Sequence, residues 1–204
     1  MIQYKTTKRL FKGTYQYKIV LVCAGAQWFR GGDMDETLTS LKSLDSNGSS
    51  RYSYNTLSAS ELEYALSLQK QIKKLKGIEV RVESPWITIY ANNKSEVDAL
   101  AKLDANRVKY ICIPDVTLEK DTVVMPKMPF EFRITMGKTI QEHSAFVQWA
   151  EGNSNLKLTK SCKRDLQKNR SWGGTYFYIT GGKNLLVARM HLGGSINKIE
   201  RIIK

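Results

Sequence analysis

The chain has 204 residues, of which 42% are hydrophobic and 10% aromatic, and this composition excludes a disordered or low-complexity protein. Thirty-two lysine and arginine residues against nineteen acidic residues give a formal charge of +13. The longest apolar run, residues 19–26, excludes a membrane-spanning helix in this chain, because a bilayer crossing takes about 18–20 apolar residues.

The N-terminus is basic and has no acidic residue in its first 18 positions. No apolar core or cleavage site follows, so these residues do not have the pattern of a secretory signal, and we expect a cytoplasmic protein. We predict that they form a basic N-terminal arm. Three widely spaced cysteines agree with a reducing compartment. Cys23 and Cys112 are predicted to be buried thiols inside or beside strands, whereas Cys162 lies in a polar segment and is predicted to be the exposed one.

Residues 1–114 show strand and helix patterns in the order βαββαβ. Apolar alternation predicts strands at 15–22, 78–83, 86–91 and 108–113, and periodic apolar residues predict helices at 58–76 and 95–103. Ser58 and Glu61 have the spacing of a capping box at the start of the longer helix. An insertion at residues 24–57 follows the first strand and contains a helix predicted at 33–44.

Prolines mark a boundary in the middle of the chain. Pro114, Pro126 and Pro129 surround residues 115–129. Because proline fixes φ and lacks a backbone donor, no regular element is expected to run through this segment. We interpret it as a linker, with a short edge strand at 122–125.

Residues 130–204 repeat the order βαββαβ. Strands are predicted at 130–136, 156–160, 176–180 and 196–203, and helices at 139–151 and 183–192, the first opened by Thr139 and Glu142 in capping-box spacing. Residues 87–113 and 177–203 also match locally, with Val97 aligned to Leu186 and Ile111 to Ile199. The prediction is an α+β protein of two ferredoxin-like halves with antiparallel sheets.

The densest positive charge lies at residues 157–174, predicted as a basic loop between the middle strands of the second half. Cations can contact phosphates and aromatic rings can stack on bases, so this loop is the main candidate site. The candidate residues are Lys157, Lys160, Lys163, Arg164, Lys168, Arg170, Trp172, Tyr176 and Tyr178, together with Lys8, Arg9 and Lys12 of the N-terminal arm. A solvated hairpin loop is the structural alternative.

The βαββαβ order with basic and aromatic residues resembles tandem RNA-recognition-motif proteins and other ferredoxin-like RNA binders. RSWGGTYFYI (residues 170–179) is similar to the glycine–aromatic signature on the third strand of that motif, although its spacing differs, and the first-strand signature is absent. The resemblance therefore implies the fold and not the family's stacking platform. The general character of the chain is also similar to small bacteriophage proteins, which would place it in the host cytoplasm.

Patterns for catalysis are weak, and no catalytic residue, metal ligand or cofactor is predicted. His143 and His191 have no ligand spacing, and Asp33 suits a helix N-cap better than a divalent ion shared with Asp35. CRISPR RNA-processing endonucleases of the repeat-associated family also pair two ferredoxin-like folds and carry a glycine-rich loop before the last strand. LGGS at residues 192–195 occupies that position but is shorter, and His143 lies in the second half, unlike the family's histidine.

We expect a non-enzymatic protein that binds single-stranded or structured nucleic acid, RNA or DNA, through the basic loop of the second half. The large positive charge favours such a polyanion. The alternative is a viral or phage protein–protein interaction module, an inhibitor or structural subunit, that docks on an acidic partner. The sequence leaves the oligomeric state open.

Overall fold

The computed structural model describes residues 2–30, 35–36, 39, 58–138, 143–168 and 172–204. The chain divides into two compact units, Met1–Leu118 and Glu119–Lys204. The first unit ends where the Gln16 side chain holds the backbone of Leu118. The Leu118 N–H donates to Gln16 Oε1 at 3.1 Å, and Gln16 Nε2 donates to the Leu118 carbonyl at 2.6 Å.

In its described part the first unit contains a five-stranded sheet with helices α1 and α2 on one face. Its strands lie in the order β1-β5-β2-β4-β3, and β1 and β5 are parallel whereas the other neighbours are antiparallel. In chain order its elements are β1 (Tyr4–Thr7), β2 (Tyr17–Val22), α1 (Ala59–Lys74), β3 (Glu79–Glu83), β4 (Trp86–Ala91), α2 (Lys94–Ala101) and β5 (Val108–Pro114).

The second unit has the same topology. Its strands lie in the order β6-β10-β7-β9-β8, again with one parallel pair, β6 and β10. In chain order its elements are β6 (Thr122–Val124), β7 (Phe132–Met136), α3 (Ser144–Glu151), β8 (Leu156–Leu158), α4 (Lys160–Leu166), β9 (Tyr176–Ile179), α5 (Gly182–Leu192) and β10 (Ile196–Ile203).

The predicted α+β class is confirmed, but the prediction of antiparallel sheets is wrong at one edge of each sheet. The parallel strand comes from Tyr4–Thr7 in the first unit, which is predicted as an arm. In the second unit it comes from Thr122–Val124, which confirms the short edge strand predicted at 122–125 within the linker. Tyr4 pairs with Ile111, more than a hundred residues later. A polar strand with so distant a partner has no local apolar alternation by which it can be recognised.

The final strand of each unit in chain order, β5 or β10, has a one-residue β-bulge, and the two bulges occupy corresponding positions. In the first sheet Val20 and Leu21 pair with Tyr110 and Val108, so Lys109 is bulged. In the second sheet the register skips Asn197 in the same way. Both bulges follow a one-turn 3-10 helix, Ala105–Arg107 or Gly193–Ser195. The local match predicted between the two halves therefore has a structural counterpart at these strands.

One aligned pair of that match is wrong. Val97 is fully buried in α2, whereas Leu186 in α5 is 60% exposed. Leu185, one position earlier, packs on the second core instead. The two helices differ in length, eight residues against eleven, so a fixed alignment cannot keep the same side chains on the core face.

The first core lies between its sheet and helices α1 and α2. The Ser58 side chain accepts a hydrogen bond from the Glu61 N–H at 3.3 Å, and the Glu61 carboxylate accepts one from the Ser58 N–H at 3.0 Å. The predicted capping box is thus confirmed. Leu62, Ala65, Leu68 and Ile72 recur at helical spacing on the buried face of α1. Each leucine or isoleucine of this set contributes about 1.5–3 kcal/mol when fully buried.

The second core is formed by β7, β9 and β10 with the three helices of that unit. Phe146 of α3 packs on Phe177 of β9, with ring centres 5.4 Å apart. Cys162 is fully buried in this core, so the prediction that it is the exposed cysteine is wrong, whereas the predicted burial of Cys23 and Cys112 is confirmed.

Two sequence predictions fall largely outside the described residues. They are the helix expected at 33–44 and the capping pair Thr139 and Glu142. Where the chain is described, no helix combines the length and the apolar character that a membrane crossing needs.

Candidate nucleic-acid interface

The segment expected to be a basic loop contains a helix. Thr159 caps α4, because its hydroxyl oxygen accepts a hydrogen bond from the Cys162 N–H at 3.3 Å. The same hydroxyl donates to the Tyr176 carbonyl at 2.7 Å and so fastens the start of α4 to β9. Cys162 and Leu166, one turn apart, are buried in the core. The loop prediction is therefore wrong for Lys160–Leu166. The cations of this segment lie on a helix that is packed against the core.

The outer surface of α4 displays positive charge. Lys160 and Arg164 are exposed and lie one turn apart on the same side of the helix, and Lys168 follows the C-cap. Within the described residues neither Lys160 nor Lys168 has a carboxylate at ion-pair distance, and the Arg164 guanidinium, 68% exposed, is 3.9 Å from Asp165. Lys157 is also exposed, on edge strand β8. These charges are available to a ligand.

Lys163 differs from its neighbours. Its ammonium group forms an ion pair with the Glu151 carboxylate at the end of α3. The pair joins two helices of the second unit, and the charge of Lys163 is already compensated. We therefore separate Lys163 from the group of cations that can reach a phosphate without losing a partner.

Trp172 is the most exposed large apolar residue in the described chain, with 91% of its surface in solvent. The backbone that follows it is held tightly: the Gly174 N–H donates to the Met136 carbonyl, and the Met136 N–H donates to the Thr175 carbonyl, both at 2.7 Å. An exposed indole on an anchored backbone offers a face for stacking without a large ordering cost. Arg170, another candidate, lies outside the described residues.

Tyr176 and Tyr178 lie on the face of the second sheet turned away from the helices. Tyr178 is only 8% exposed and stacks beneath Phe130, with ring centres 5.9 Å apart. Burial raises its pKa. The Arg133 guanidinium lies 4.0 Å from the centre of the Tyr176 ring. Tyr178 is covered and Tyr176 is half-buried beneath Arg133, so Trp172 is the most accessible aromatic residue of this group.

The N-terminal cations do not form a free arm. The Lys12 ammonium pairs with the Glu79 carboxylate of β3. Lys8 and Arg9 are exposed in the turn after β1, where the Thr7 hydroxyl donates to the Arg9 carbonyl at 2.8 Å. These three residues lie in the first unit, and the α4 cations lie in the second.

Sequence reasoning missed a second group of cations and rings, on the first sheet. The Lys5 and Lys18 ammonium groups lie 4.1 and 5.1 Å from the centre of the Tyr110 ring. The Lys109 ammonium lies 3.4 Å from that of Trp86. The alternation of β2 and β4 places Lys18 and Trp86 opposite the core side, but only the pairing register brings the whole group together.

His143 lies beside the glycine-rich turn before the last strand. Its Nε2 is 3.1 Å from the Ser195 hydroxyl oxygen. Burial, and then the neighbouring His191, lowers the pKa of His143, so its ring is neutral at physiological pH. In the described part of the chain no cluster of His, Cys, Asp or Glu is placed to hold a metal ion. We assign no reaction to the His143–Ser195 pair.

Comparison of the chain with protein-family models, with curated proteins and with solved structures gave no significant match.

Proposed function

We propose that the protein binds single-stranded nucleic acid, RNA or DNA, through the surface formed by Lys160, Arg164, Lys168 and Trp172. The observation that carries this proposal is that exposed cations on α4 and just after it are followed four residues later by an indole that is 91% exposed. We call these four residues the α4 surface. No step of a chemical reaction is part of the proposal.

The ligand class follows from the two kinds of group present. Ammonium and guanidinium groups that contact phosphates release the counterions condensed on the strand, and this release favours binding. An indole can stack only on a base whose face is not covered by a neighbouring base pair. A regular duplex would offer phosphates to the cations but no exposed base face to the indole. A single strand, or the loop of a folded RNA, satisfies both groups.

The fold proposed for each unit is a ferredoxin-like core to which a parallel edge strand is added. The orders β5-β2-β4-β3 and β10-β7-β9-β8 support this proposal, because each consists of antiparallel neighbours connected as βαββαβ. In the second unit, α4 is inserted between the two strands that a tight turn joins in the first.

The proposal is tested by titrating the full chain into fluorescently labelled oligonucleotides of about eight nucleotides, a length within the range that small single-strand binding folds cover. Binding that weakens steeply between about 50 mM and 200 mM salt is expected for phosphate contacts. No binding at the lower salt concentration to RNA or DNA of any composition would show the proposal to be wrong.

A protein partner is the competing outcome of the same test. A preparation free of absorbance from nucleic acid, together with an acidic protein that co-purifies and is released by Trp172→Ala, would assign the α4 surface to protein recognition. Co-purified material with high absorbance at 260 nm, sensitive to nuclease, supports nucleic acid.

A further inference from the structure

The first sheet has its own open surface, at the end of the face turned away from the helices. Val22 and Trp86 are direct partners across β2 and β4, and they remain 37% and 39% exposed. Their neighbours Leu21 and Ile87 point the other way and are fully buried. The sheet therefore exposes two adjacent apolar side chains that its own core does not use.

The bulge in β5 brings cations to this surface. A bulge turns two consecutive side chains towards one side of a sheet. Here it places Lys109 beside Tyr110, and the Lys109 ammonium lies over the ring of Trp86. Lys5 of β1 and Lys18 of β2 flank Tyr110. In the described residues none of these three lysines has a carboxylate at ion-pair distance.

The other end of the same face is closed. Phe11 and Tyr15 lie over Tyr90, at 5.8 and 6.0 Å between ring centres, and leave it 7% exposed. Lys12 is paired there with Glu79. Lys18, the register partner of Tyr90, lies 5.7 Å from the centre of the Phe11 ring and so stands at the border of the closed end. The open surface runs from Lys5 and Lys18 past Tyr110 to Lys109 and Trp86. We call these five residues the Trp86 surface.

We propose that the Trp86 surface is a second binding site for single-stranded nucleic acid, one that accommodates one or two nucleotides. A base stacks on Trp86 in place of the Lys109 ammonium, and Lys109 turns to a phosphate beside those contacted by Lys5 and Lys18. This inference takes its class of ligand from the proposed function. The Trp86 surface and the α4 surface have no residue in common.

The chemistry favours a nucleotide strand over an acidic peptide. A peptide carboxylate would neutralise the lysines but would leave the exposed faces of Val22 and Trp86 in water. A nucleotide supplies an anion and a flat aromatic ring at a fixed separation, which matches lysines interleaved with rings. Stacking is also tolerant of base identity, so the site is expected to have little sequence preference.

The test uses the full chain with the α4 surface disabled by Lys160→Gln, Arg164→Gln and Trp172→Ala. Tryptophan emission is followed during titration with an oligothymidylate of about eight nucleotides. Quenching is expected to persist. It should disappear when Trp86→Leu is added, and the oligomer should bind at least about fivefold more weakly. Lys109→Gln, which leaves the ring in place, should also weaken binding.

Lys102→Gln, a charge-matched change on the end of α2, should leave binding unchanged. The inference is overturned if the disabled protein shows no quenching while wild type still binds through Trp172, a result that would leave the proposed function standing. It is also overturned if an abasic oligomer binds the disabled protein as tightly as the oligothymidylate, since charge alone would then account for binding. If wild type binds no oligomer, the proposed function fails as well.

Discussion

Gly173 packs against the backbone of Gly137: a Cβ atom on Gly173 would lie 2.6 Å from the Gly137 carbonyl carbon. Gly173 also has φ of +80°, which residues with a side chain rarely adopt. This contact fixes the chain immediately after Trp172. The backbone position from which the exposed indole projects is therefore set by the fold of the second unit.

Replacing Gly173 by alanine should destabilise the second unit by roughly 3 kcal/mol or more, because backbone atoms on both sides must move. Gly174 is a matched control, since its φ is +83° but nothing lies within 4 Å of its Cβ position. Gly174→Ala should cost only the conformational penalty of about 1–2 kcal/mol. Denaturant unfolding of both variants measures the difference, and equal losses would disprove the close approach.

Trp172→Ala should weaken binding of single-stranded oligonucleotides by about 1–3 kcal/mol, the value of one base stack. The melting temperature should not change, because a side chain 91% exposed contributes little to the core. Met190, 77% exposed on α5, provides a control: Met190→Ala removes a comparable exposed apolar side chain away from the α4 surface. If both variants bind alike, stacking on Trp172 is not part of the interaction.

Cys162 should resist alkylation in the native protein. It is fully buried, and burial raises its pKa to about 12 from an ordinary value of 9.0. Since the folded state holds the proton more tightly than the unfolded state, the stabilisation is complete below about pH 9 and is lost as the pH rises towards about 12.

The measurement for Cys162 is unfolding free energy against pH for wild type and Cys162→Ala, with peptide mapping of the labelled thiols. Wild type should lose more stability than the variant over the alkaline range. Labelling of Cys162 at pH 8 as fast as a thiol in unfolded protein would contradict its burial.

Elements that are stabilised by residues close together in the sequence could be predicted from the sequence. The hydrogen bonds between Ser58 and Glu61 need only a spacing of three residues, and that helix begins where predicted. The last strand was predicted at 196–203 and is observed as Ile196–Ile203. In that strand, apolar residues and the preceding glycine pair define both the element and its start.

In helix α4 the cap and the apolar spacing indicate a helix, but the high density of lysine and arginine favours a loop. Thr159, Cys162 and Leu166 have the spacing of a cap followed by two buried positions one turn apart. The surrounding lysines and arginines favoured a loop, although long cationic side chains are good helix formers on an exposed face. The cap and the apolar spacing were the better guides to this segment.

The Trp86 surface could not be predicted, because its cause is not local. Lys5, Lys18 and Lys109 come from three strands, and Lys109 reaches Trp86 only through a one-residue bulge in β5. A shift of one residue in register would have sent these side chains to the opposite face. The parallel pairing of Tyr4 with Ile111 could not be predicted either, because the two residues are far apart in the sequence.

The most direct test of the α4 surface is the salt dependence of oligonucleotide binding by the Lys160→Gln, Arg164→Gln double variant. Its control is Lys70→Gln, Lys74→Gln on exposed positions of α1, which removes the same charge from the first unit. Loss of two phosphate contacts should reduce the slope of log affinity against log salt by about 1.4. The control should keep the wild-type slope. Equal slopes for the two variants would contradict binding through α4.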